Sequence, residues 1–227
     1  MKRLCPVSVH SFRADGTVMD LAAPSAEEVD FTAIAARLSK IARFNGTPHG
    51  LAYSVAQHCC MGAEAILQET GDHKKAALFL LHDAHEYLIG DIATPARDLI
   101  AGVLNVNMTS SGNSFIGAVC AIKHAWDAAI YQAAGLPEPD AWTNSDRHTV
   151  ERMDARMLRA EVTALFGNHA AKQLPYSKPP KTRGAITPWP AMKAEEAYFK
   201  LLCRLIGEDR ARDHSAISAI AAATSAI

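Results

Sequence analysis

The chain has 227 residues, of which 49% are hydrophobic and 21% charged, and its formal net charge is -1. This length is enough to bury one substantial core, so we predict a single domain over residues 1–214 and a low-complexity tail over 215–227. The near-zero charge provides no global field to attract nucleic acid or a membrane surface, so we expect neither as a partner.

The five cysteines contain no CxxC pair, which argues against a disulfide framework and against a thiolate zinc site. The sequence also has no stretch of the ~20 apolar residues needed to span a membrane, and the N-terminus lacks the continuous apolar region of a signal peptide. Together these features predict a cytoplasmic protein.

The first 45 residues contain two predicted elements. Residues 7–21 alternate apolar and polar side chains on both sides of an Asp-Gly dipeptide, a pattern typical of a β-hairpin. Residues 25–45 then show helical periodicity, with Ser25 as the N-cap and Glu28 three residues later. We therefore predict a small hairpin followed by an amphipathic helix.

The rest of the chain is predicted to be helical, which makes the fold class all-α. The polar, Gly- and Ser-containing segment 101–113 is expected to form a flexible loop or insertion, and segment 174–190, which contains five prolines, a second loop. Helical periodicity bounded by Gly, Pro or Asn returns in five segments: 53–69, 73–89, 114–133, 145–166 and 191–207.

Several ionisable residues interrupt the apolar run "LLHDAHEYLIGD" at positions 80–91. Burying even one unpaired charge costs on the order of several kcal/mol. His82 and Asp83 are adjacent, and Glu86 follows within one helical turn, so the three can share one side of a helix. A divalent cation would neutralise the carboxylate and accept the imidazole lone pair. The segment therefore predicts a metal site.

Two adjacent ligands do not complete a metal site, so further donors are expected from other helices. His58 and Asp154 both lie in amphipathic segments and are the best candidates. Asp146 remains a rival candidate for the carboxylate ligand. Asp154 can instead form a surface salt bridge with a neighbouring arginine. Taken by itself, a helix histidine such as His58 is usually a surface or hydrogen-bonded residue and not a ligand.

The order of these residues resembles that of the HD-domain superfamily of metal-dependent phosphohydrolases: His58, the pair His82-Asp83, then Asp154. The segment "HDAHEYLIGDIATPAR" is similar to the HD-x-x-E-x-x-x-GD-x-x-(S/T)-P-x-(K/R) signature of the branch that acts on nucleotides. "ARFNGTPHGLAYSVAQH" is similar to the Arg-containing segment that precedes it there. The similarity covers residues 30–165 and implies an HD-type helical bundle behind the N-terminal hairpin.

The resemblance implies one divalent transition metal, which can be Mn²⁺, Co²⁺, Fe²⁺, Ni²⁺ or Zn²⁺ because a set of two histidines and two carboxylates suits them all. It also implies that Glu86 acts as a general base or acid. Asp91 would orient the attacking water or protonate the leaving oxygen. An alternative for Glu86 is an ordinary helix carboxylate paired with Lys74 or Lys75.

Four residues are candidates for contact with the substrate. Arg43 and Arg97 match basic positions of the family, and guanidinium groups bind phosphate oxygens bidentately. Arg97 can also be a plain surface charge. Phe44 can stack on a base or pack in the core, and Thr94 lies in the part of the signature that leads toward the substrate.

Other histidines are expected to stay outside the site. His73, His85 and His169 are predicted to be exposed. Relatives with two metals use additional histidines after the HD pair, and neither His124 nor His148 matches those positions convincingly. The sequence therefore favours a single metal ion.

The function implied by the resemblance is hydrolysis of phosphate from small nucleotides, with a 5′-(deoxy)nucleotidase acting on deoxynucleoside monophosphates as the leading prediction. The alternative with the same metal site is a deoxynucleoside triphosphate phosphohydrolase. Lys178, Lys181 and Arg183 would favour it if they point toward the metal. A non-catalytic nucleotide-binding module is a third possibility. The resemblance also implies a homo-oligomer, and Ala-rich helices are compatible with one.

Overall fold

A computed structural model describes residues 3–107 and 111–213 of the protein. They are mainly helical with one small antiparallel hairpin, which confirms the predicted all-α class. The predicted tail, residues 215–227, lies outside the described residues. The strands are β1 (His10–Phe12) and β2 (Val18–Asp20), and the helices are α1 (Phe31–Leu38), α2 (Val55–Thr70), α3 (His73–Leu80), α4 (Glu86–Ile89), α5 (Thr94–Asn107), α6 (Ser111–Ala133), α7 (Asn144–Phe166), α8 (Asn168–Ala171) and α9 (Ala191–Ile206).

The hairpin turn has the chemistry that the sequence indicates. Gly16 adopts a left-handed conformation with φ of 86°, which glycine accepts without steric cost. The Asp15 carboxylate accepts a hydrogen bond from the Thr17 backbone N–H at 2.9 Å. The Arg13 backbone N–H donates to the Thr17 carbonyl at 2.9 Å and closes the turn. The predicted Asp-Gly hairpin is therefore confirmed.

The first helix is shorter than predicted. The prediction of one helix over residues 25–45 is wrong because Ser25 caps only a short 3-10 turn, Ala26–Glu28. The helix proper begins after Asp30, whose carboxylate accepts hydrogen bonds from the Thr32 and Ala33 backbone N–H groups. This cap stands directly before the buried apolar face of α1 and therefore determines where the helix starts.

Helix α2 lies at the centre of the core and packs against α3, α7 and α9. Its first three turns are buried and rich in Ala, Gly and Cys, which lets neighbouring helices approach closely. At Gly62 a Cβ atom would overlap the ring of Phe79 on α3. The Phe79 ring in turn stacks on His82 with 4.4 Å between ring centroids. The close approach of α2 and α3 thus fixes a predicted site residue.

The predicted helix over residues 73–89 is interrupted. Helix α3 ends at Leu80, and the turn that follows uses tighter hydrogen bonds, such as Glu86 N–H to the Asp83 carbonyl at 3.0 Å. One cause lies in His82, whose Nδ1 is 2.6 Å from the Phe79 carbonyl oxygen. That side-chain hydrogen bond occupies the acceptor that a regular helix would use for its backbone.

The loop predicted over residues 101–113 is also wrong in its described part. Helix α5 extends to Asn107, and α6 begins at Ser111, while 108–110 lie outside the described residues. A Cβ atom at Gly112 would overlap the backbone of Ala101, so glycine here allows two helices to pack closely instead of making a loop flexible. The predicted loop over 174–190 contains no helix or strand, which confirms that prediction.

No described helix combines the length and the apolar character needed to cross a membrane.

We expect Gly62→Ala to destabilise the protein, because the added methyl group would displace Phe79 in a closely packed core. Overpacking of this kind costs about 1–3 kcal/mol, measurable by urea unfolding. Gly102→Ala is the matched control, since a Cβ there meets no atom within 4 Å and alanine favours a helix by up to ~1 kcal/mol. A Gly62→Ala protein as stable as the wild type would contradict this packing.

Candidate metal centre

Two histidines present free ring nitrogens inside the protein. The His58 Nδ1 lies 2.6 Å from Glu161 Oε1, and the His82 Nδ1 lies 2.6 Å from the Phe79 carbonyl oxygen. Because both oxygens are acceptors, we assign the ring hydrogen to Nδ1, which leaves the lone pair on Nε2 when the ring is neutral. Both Nε2 atoms are buried and have no hydrogen-bond partner among the described residues. This arrangement is typical of metal-binding histidines.

Two carboxylates face these nitrogens. The His58 Nε2 lies 3.3 Å from Asp154 Oδ1, and the His82 Nε2 lies 3.2 Å from Asp83 Oδ2. The two remaining pairs are each 3.9 Å apart. Ligand atoms that each lie about 2 Å from one ion are separated by comparable distances. The four ligands predicted from the sequence therefore converge, and their nitrogen and oxygen donors fit a divalent transition metal.

The charges of this cluster are balanced by the histidines and carboxylates themselves. Burial would raise the pKa of Asp83, but the facing His82 imidazole lowers it well below its usual range. Burial has the same effect on Asp154, and the facing imidazoles of His58 and His82 lower its pKa. In turn, burial lowers the pKa of His82, while Asp83 and Asp154 raise it well above its usual range. A cation would replace the imidazole protons in this balance.

The rival ligand Asp146 has another role. Its carboxylate lies 2.7 Å from Lys74 Nζ and forms a capping box with Thr143 at the start of α7. The sequence also allowed Asp154 to form a surface salt bridge with an arginine. Arg156 does not pair with it, because this arginine forms a bidentate pair with Glu69 of α2 at 2.6 and 2.7 Å. Asp154 is therefore the aspartate of α7 that belongs to the cluster.

A cavity of about 680 Å³ opens beside the carboxylates. Asp154 faces it with 45% of its side chain exposed, whereas the His58 side chain is fully buried. The histidines thus form the floor behind the carboxylates. Every predicted catalytic and substrate-binding residue contributes to the cavity wall: Arg43, Phe44, Glu86, Asp91, Thr94 and Arg97.

Glu86 is buried, at 4% exposure, in the wall of this cavity. Its Oε2 has no hydrogen-bond partner in the described part of the chain. Burial, together with the charges of Asp83 and Asp91, raises the pKa of Glu86 to about 9; a bound cation would lower it by charge attraction. Lys74 and Lys75 bind residues of α7 instead, so the pairing considered as an alternative does not occur.

Arg43 links Asp83, a candidate metal ligand, to Glu161, which holds His58. Its Nη1 lies 3.5 Å from Asp83 Oδ2, and its Nε lies 3.3 Å from Glu161 Oε2. Only 12% of the side chain is exposed. Burial lowers the pKa of Arg43, but the facing carboxylates more than compensate and raise it above its ordinary value. The guanidinium is thus a fixed positive charge at the inner end of the cavity.

The chain bends sharply directly after Arg43. Phe44 and Asn45 adopt left-handed conformations with φ of 56° and 52°, which non-glycine residues rarely do and which cluster at functional sites. Phe44 packs edge-to-face on Phe166 with 5.3 Å between ring centroids, and it also lines the cavity. Packing is therefore shown for Phe44, and stacking on a base stays a prediction.

The two remaining substrate candidates lie at the start of α5. Arg97 lies 3.0 Å from Asp98, with 36% of its side chain exposed. Thr94 is exposed. Both belong to the cavity wall, so Arg97 is a surface charge that also faces the cavity.

Sequence reasoning gave no role in the site to Glu161, Tyr53 or Lys123. Glu161 is completely buried and accepts hydrogen bonds from His58 and from the Tyr53 hydroxyl at 3.0 Å. Its spacing of seven residues from Asp154 places it on the same helix face, a signal that was open to sequence reasoning. Lys123 reaches the cavity from α6, and no sequence pattern places that helix beside the site.

One histidine was assigned wrongly. His85 was expected to be exposed, but it is buried at 4% exposure, and its Nδ1 lies 2.8 Å from Asp127 Oδ1. The turn after α3 explains the difference, since an uninterrupted helix would direct this side chain elsewhere. His73 and His169 are exposed as predicted.

Comparison with known proteins adds little to this geometry. No protein family model matches the chain. A protein of Rhodobacter capsulatus, itself uncharacterized, is 37% identical over 89 residues, which cover 37% of this chain and 45% of that protein. The chain thus matches less than half the length of this relative, and the relative carries no assigned activity.

We expect Glu161→Gln to weaken binding of Mn²⁺ or Co²⁺ about 10–100-fold, as is typical when a partner behind a metal-binding histidine is lost. The glutamine keeps the shape but removes the charge that faces His58 and Arg43. Isothermal titration calorimetry of the metal-free protein measures the effect. Glu151→Gln, an exposed position on the same helix, is the control. Equal affinities for the two variants would refute the supporting role of Glu161.

Proposed function

We propose that the protein is a metal-dependent phosphohydrolase of the HD type that cleaves phosphate from small nucleotides, with deoxynucleoside 5′-monophosphates as the preferred substrates. The observation that supports this most strongly is the pair of buried imidazole Nε2 atoms that face Asp83 and Asp154. They lie behind a cavity whose wall also contains Arg43 and Glu86. The similarity of the sequence to the HD signature agrees with this assignment.

The residues can be given roles by what each can bind or transfer. When bound, a divalent ion would supply Lewis-acid activation of the phosphate and of the attacking water. Arg43 and Arg97 hold phosphate oxygens and offset the negative charge of the transition state. Glu86, whose ionised form a bound cation would favour, accepts the proton of the attacking water.

Asp91 completes the proton balance. Burial raises the pKa of Asp91, which favours its protonated form, and it lines the same cavity as Glu86. As the water oxygen bonds to phosphorus, the bond between phosphorus and the 5′-oxygen breaks, and Asp91 gives a proton to the leaving oxygen. The products are a nucleoside and inorganic phosphate.

The dimensions of the cavity agree with a small nucleotide. Its volume of about 680 Å³ falls within the ~300–1,000 Å³ of small-molecule sites. Apolar side chains of Phe44, Leu158 and Val162 contribute to the same wall as the charged groups. The cavity thus offers apolar surface for a base and charged groups for a phosphate.

The position of the basic residues of the loop 174–190 favours a monophosphate substrate over a triphosphate. In the described part of the chain, Lys178, Lys181 and Arg183 do not belong to the cavity wall. Arg183 instead lies 3.9 Å from Glu64 on α2. One observation supports a triphosphate as the second candidate, because Lys123 adds a third cation to the cavity.

We expect Glu86→Gln to lower kcat about 10²–10⁴-fold, the usual contribution of a general base or acid, while the protein stays folded because no hydrogen bond of Oε2 is lost. The measurement is phosphate release from a panel of nucleotides in Mn²⁺, Co²⁺ or Zn²⁺, with circular dichroism to monitor folding. Glu196→Gln, an exposed position on α9, should retain full activity.

Analysis of the products in the same experiment separates the candidates. Inorganic phosphate from a deoxynucleoside monophosphate supports the first, and intact triphosphate from a deoxynucleoside triphosphate supports the second. Binding of nucleotides without turnover in any metal would contradict both and indicate a non-catalytic binding module. An unchanged rate for Glu86→Gln would contradict its role in proton transfer.

A further inference from the structure

A third histidine repeats the arrangement of the two metal-binding candidates. His85 lies in the turn between α3 and α4, with 5% of its side chain exposed, and its Nδ1 is 2.8 Å from Asp127 Oδ1. The carboxylate accepts the Nδ1 hydrogen, which leaves the lone pair of the neutral ring on Nε2. That Nε2 is buried and finds no hydrogen-bond partner within residues 3–107 and 111–213. His58 and His82 have the same combination of an anchored Nδ1 and an unpartnered Nε2.

Two carboxylates surround His85. A ring nitrogen of His85, one oxygen of Asp83 and one oxygen of Glu86 all lie within 4.8 Å of one another. Glu86 Oε2 is itself buried, and none of the three cations of the cavity wall, Arg43, Arg97 and Lys123, donates a hydrogen bond to it. His85 and Glu86, two residues of this cluster, thus each have a buried polar atom without a hydrogen-bond partner, which is unfavourable unless something binds to it.

We propose that Asp83, His85 and Glu86 form a second site for a divalent transition metal, adjacent to the centre formed by His58, His82, Asp83 and Asp154. One imidazole nitrogen with carboxylate oxygens suits Mn²⁺, Fe²⁺, Co²⁺ or Zn²⁺ better than Ca²⁺ or Mg²⁺, which prefer oxygen donors only. Asp83 belongs to both clusters. Glu86 would bind the second ion through one carboxylate oxygen only, which leaves its other oxygen for the proton transfer proposed above.

Asp127 supports this site in the way that Glu161 supports His58. Metal-binding histidines usually donate their second ring N–H to a carboxylate, which fixes the orientation of the ring. Asp127 lies on α6, with 16% of its side chain exposed, and anchors His85 from outside the HD segment. The donors themselves come from that segment, so a search for additional histidines downstream cannot find this site.

The test counts the metal ions bound per chain. Full-length, metal-free protein is equilibrated with Mn²⁺, freed of excess ion by gel filtration and analysed by mass spectrometry for metal content. We expect two ions in the wild type and one in His85→Ala. Asp154→Ala should also bind one ion because it retains the second site. The control is His124→Ala, whose side chain is 53% exposed, and it should bind two.

A further variant covers the case in which His85→Ala fails to fold. Asp127→Asn removes no ligand, and we expect it to weaken the second binding step about 10–100-fold in a Mn²⁺ titration. The first step should keep its affinity.

Three results would overturn the proposal: one ion in the wild type, two ions in His85→Ala, or an unchanged second step in Asp127→Asn. These failures are distinguishable from a failure of the proposed function. If an ion is lost in Asp154→Ala but not in His85→Ala, the first centre is supported and the second site is refuted. An ion lost in His85→Ala supports the second site even if no nucleotide is hydrolysed.

Discussion

The interaction on which the site depends is the hydrogen bond that holds each buried imidazole by its Nδ1. Glu161 holds His58, and the Phe79 carbonyl holds His82. Each bond fixes the ring and directs the other nitrogen toward a carboxylate. The cost is two buried nitrogens without hydrogen bonds, on the order of 1–3 kcal/mol for each unsatisfied group. A bound cation would offset that cost, so the same feature that destabilises the metal-free protein favours metal binding.

The packing of the surrounding helices brings the two imidazoles and their hydrogen-bond acceptors together. Gly62 lets α3 approach α2 closely enough for the Phe79 ring to pack under His82. The tight turn after α3 then directs residues 82–86 toward the interior. Arg43 links the Asp83 carboxylate to Glu161, so the ligands and their supporting residues form one charged network. A change in any part of this network would therefore alter the charge or position of the candidate metal ligands.

The sequence was most informative where periodicity and residue chemistry agreed. Local hydrogen bonds explain why two helices differ from the prediction. Asp30 and not Ser25 caps α1, and the His82 side chain bonds to the Phe79 carbonyl oxygen where α3 ends. At Gly112 a small residue allows close packing, although its sequence context is typical of a loop. The four candidate metal ligands could be predicted because His82 and Asp83 interrupt an apolar run and because their order with His58 and Asp154 resembles that of the HD-domain superfamily. Lys123 was not, since its place in the cavity depends on how α6 packs against distant parts of the chain.

The most direct test of this account is a crystal structure of the protein soaked in Mn²⁺, with anomalous diffraction measured to locate the ion. We expect an anomalous peak about 2.0–2.3 Å from the Nε2 atoms of both His58 and His82, the range of metal–nitrogen bonds, with Asp83 and Asp154 completing the coordination. A map in which both Nε2 atoms lack a metal neighbour while the ion binds elsewhere would contradict the account.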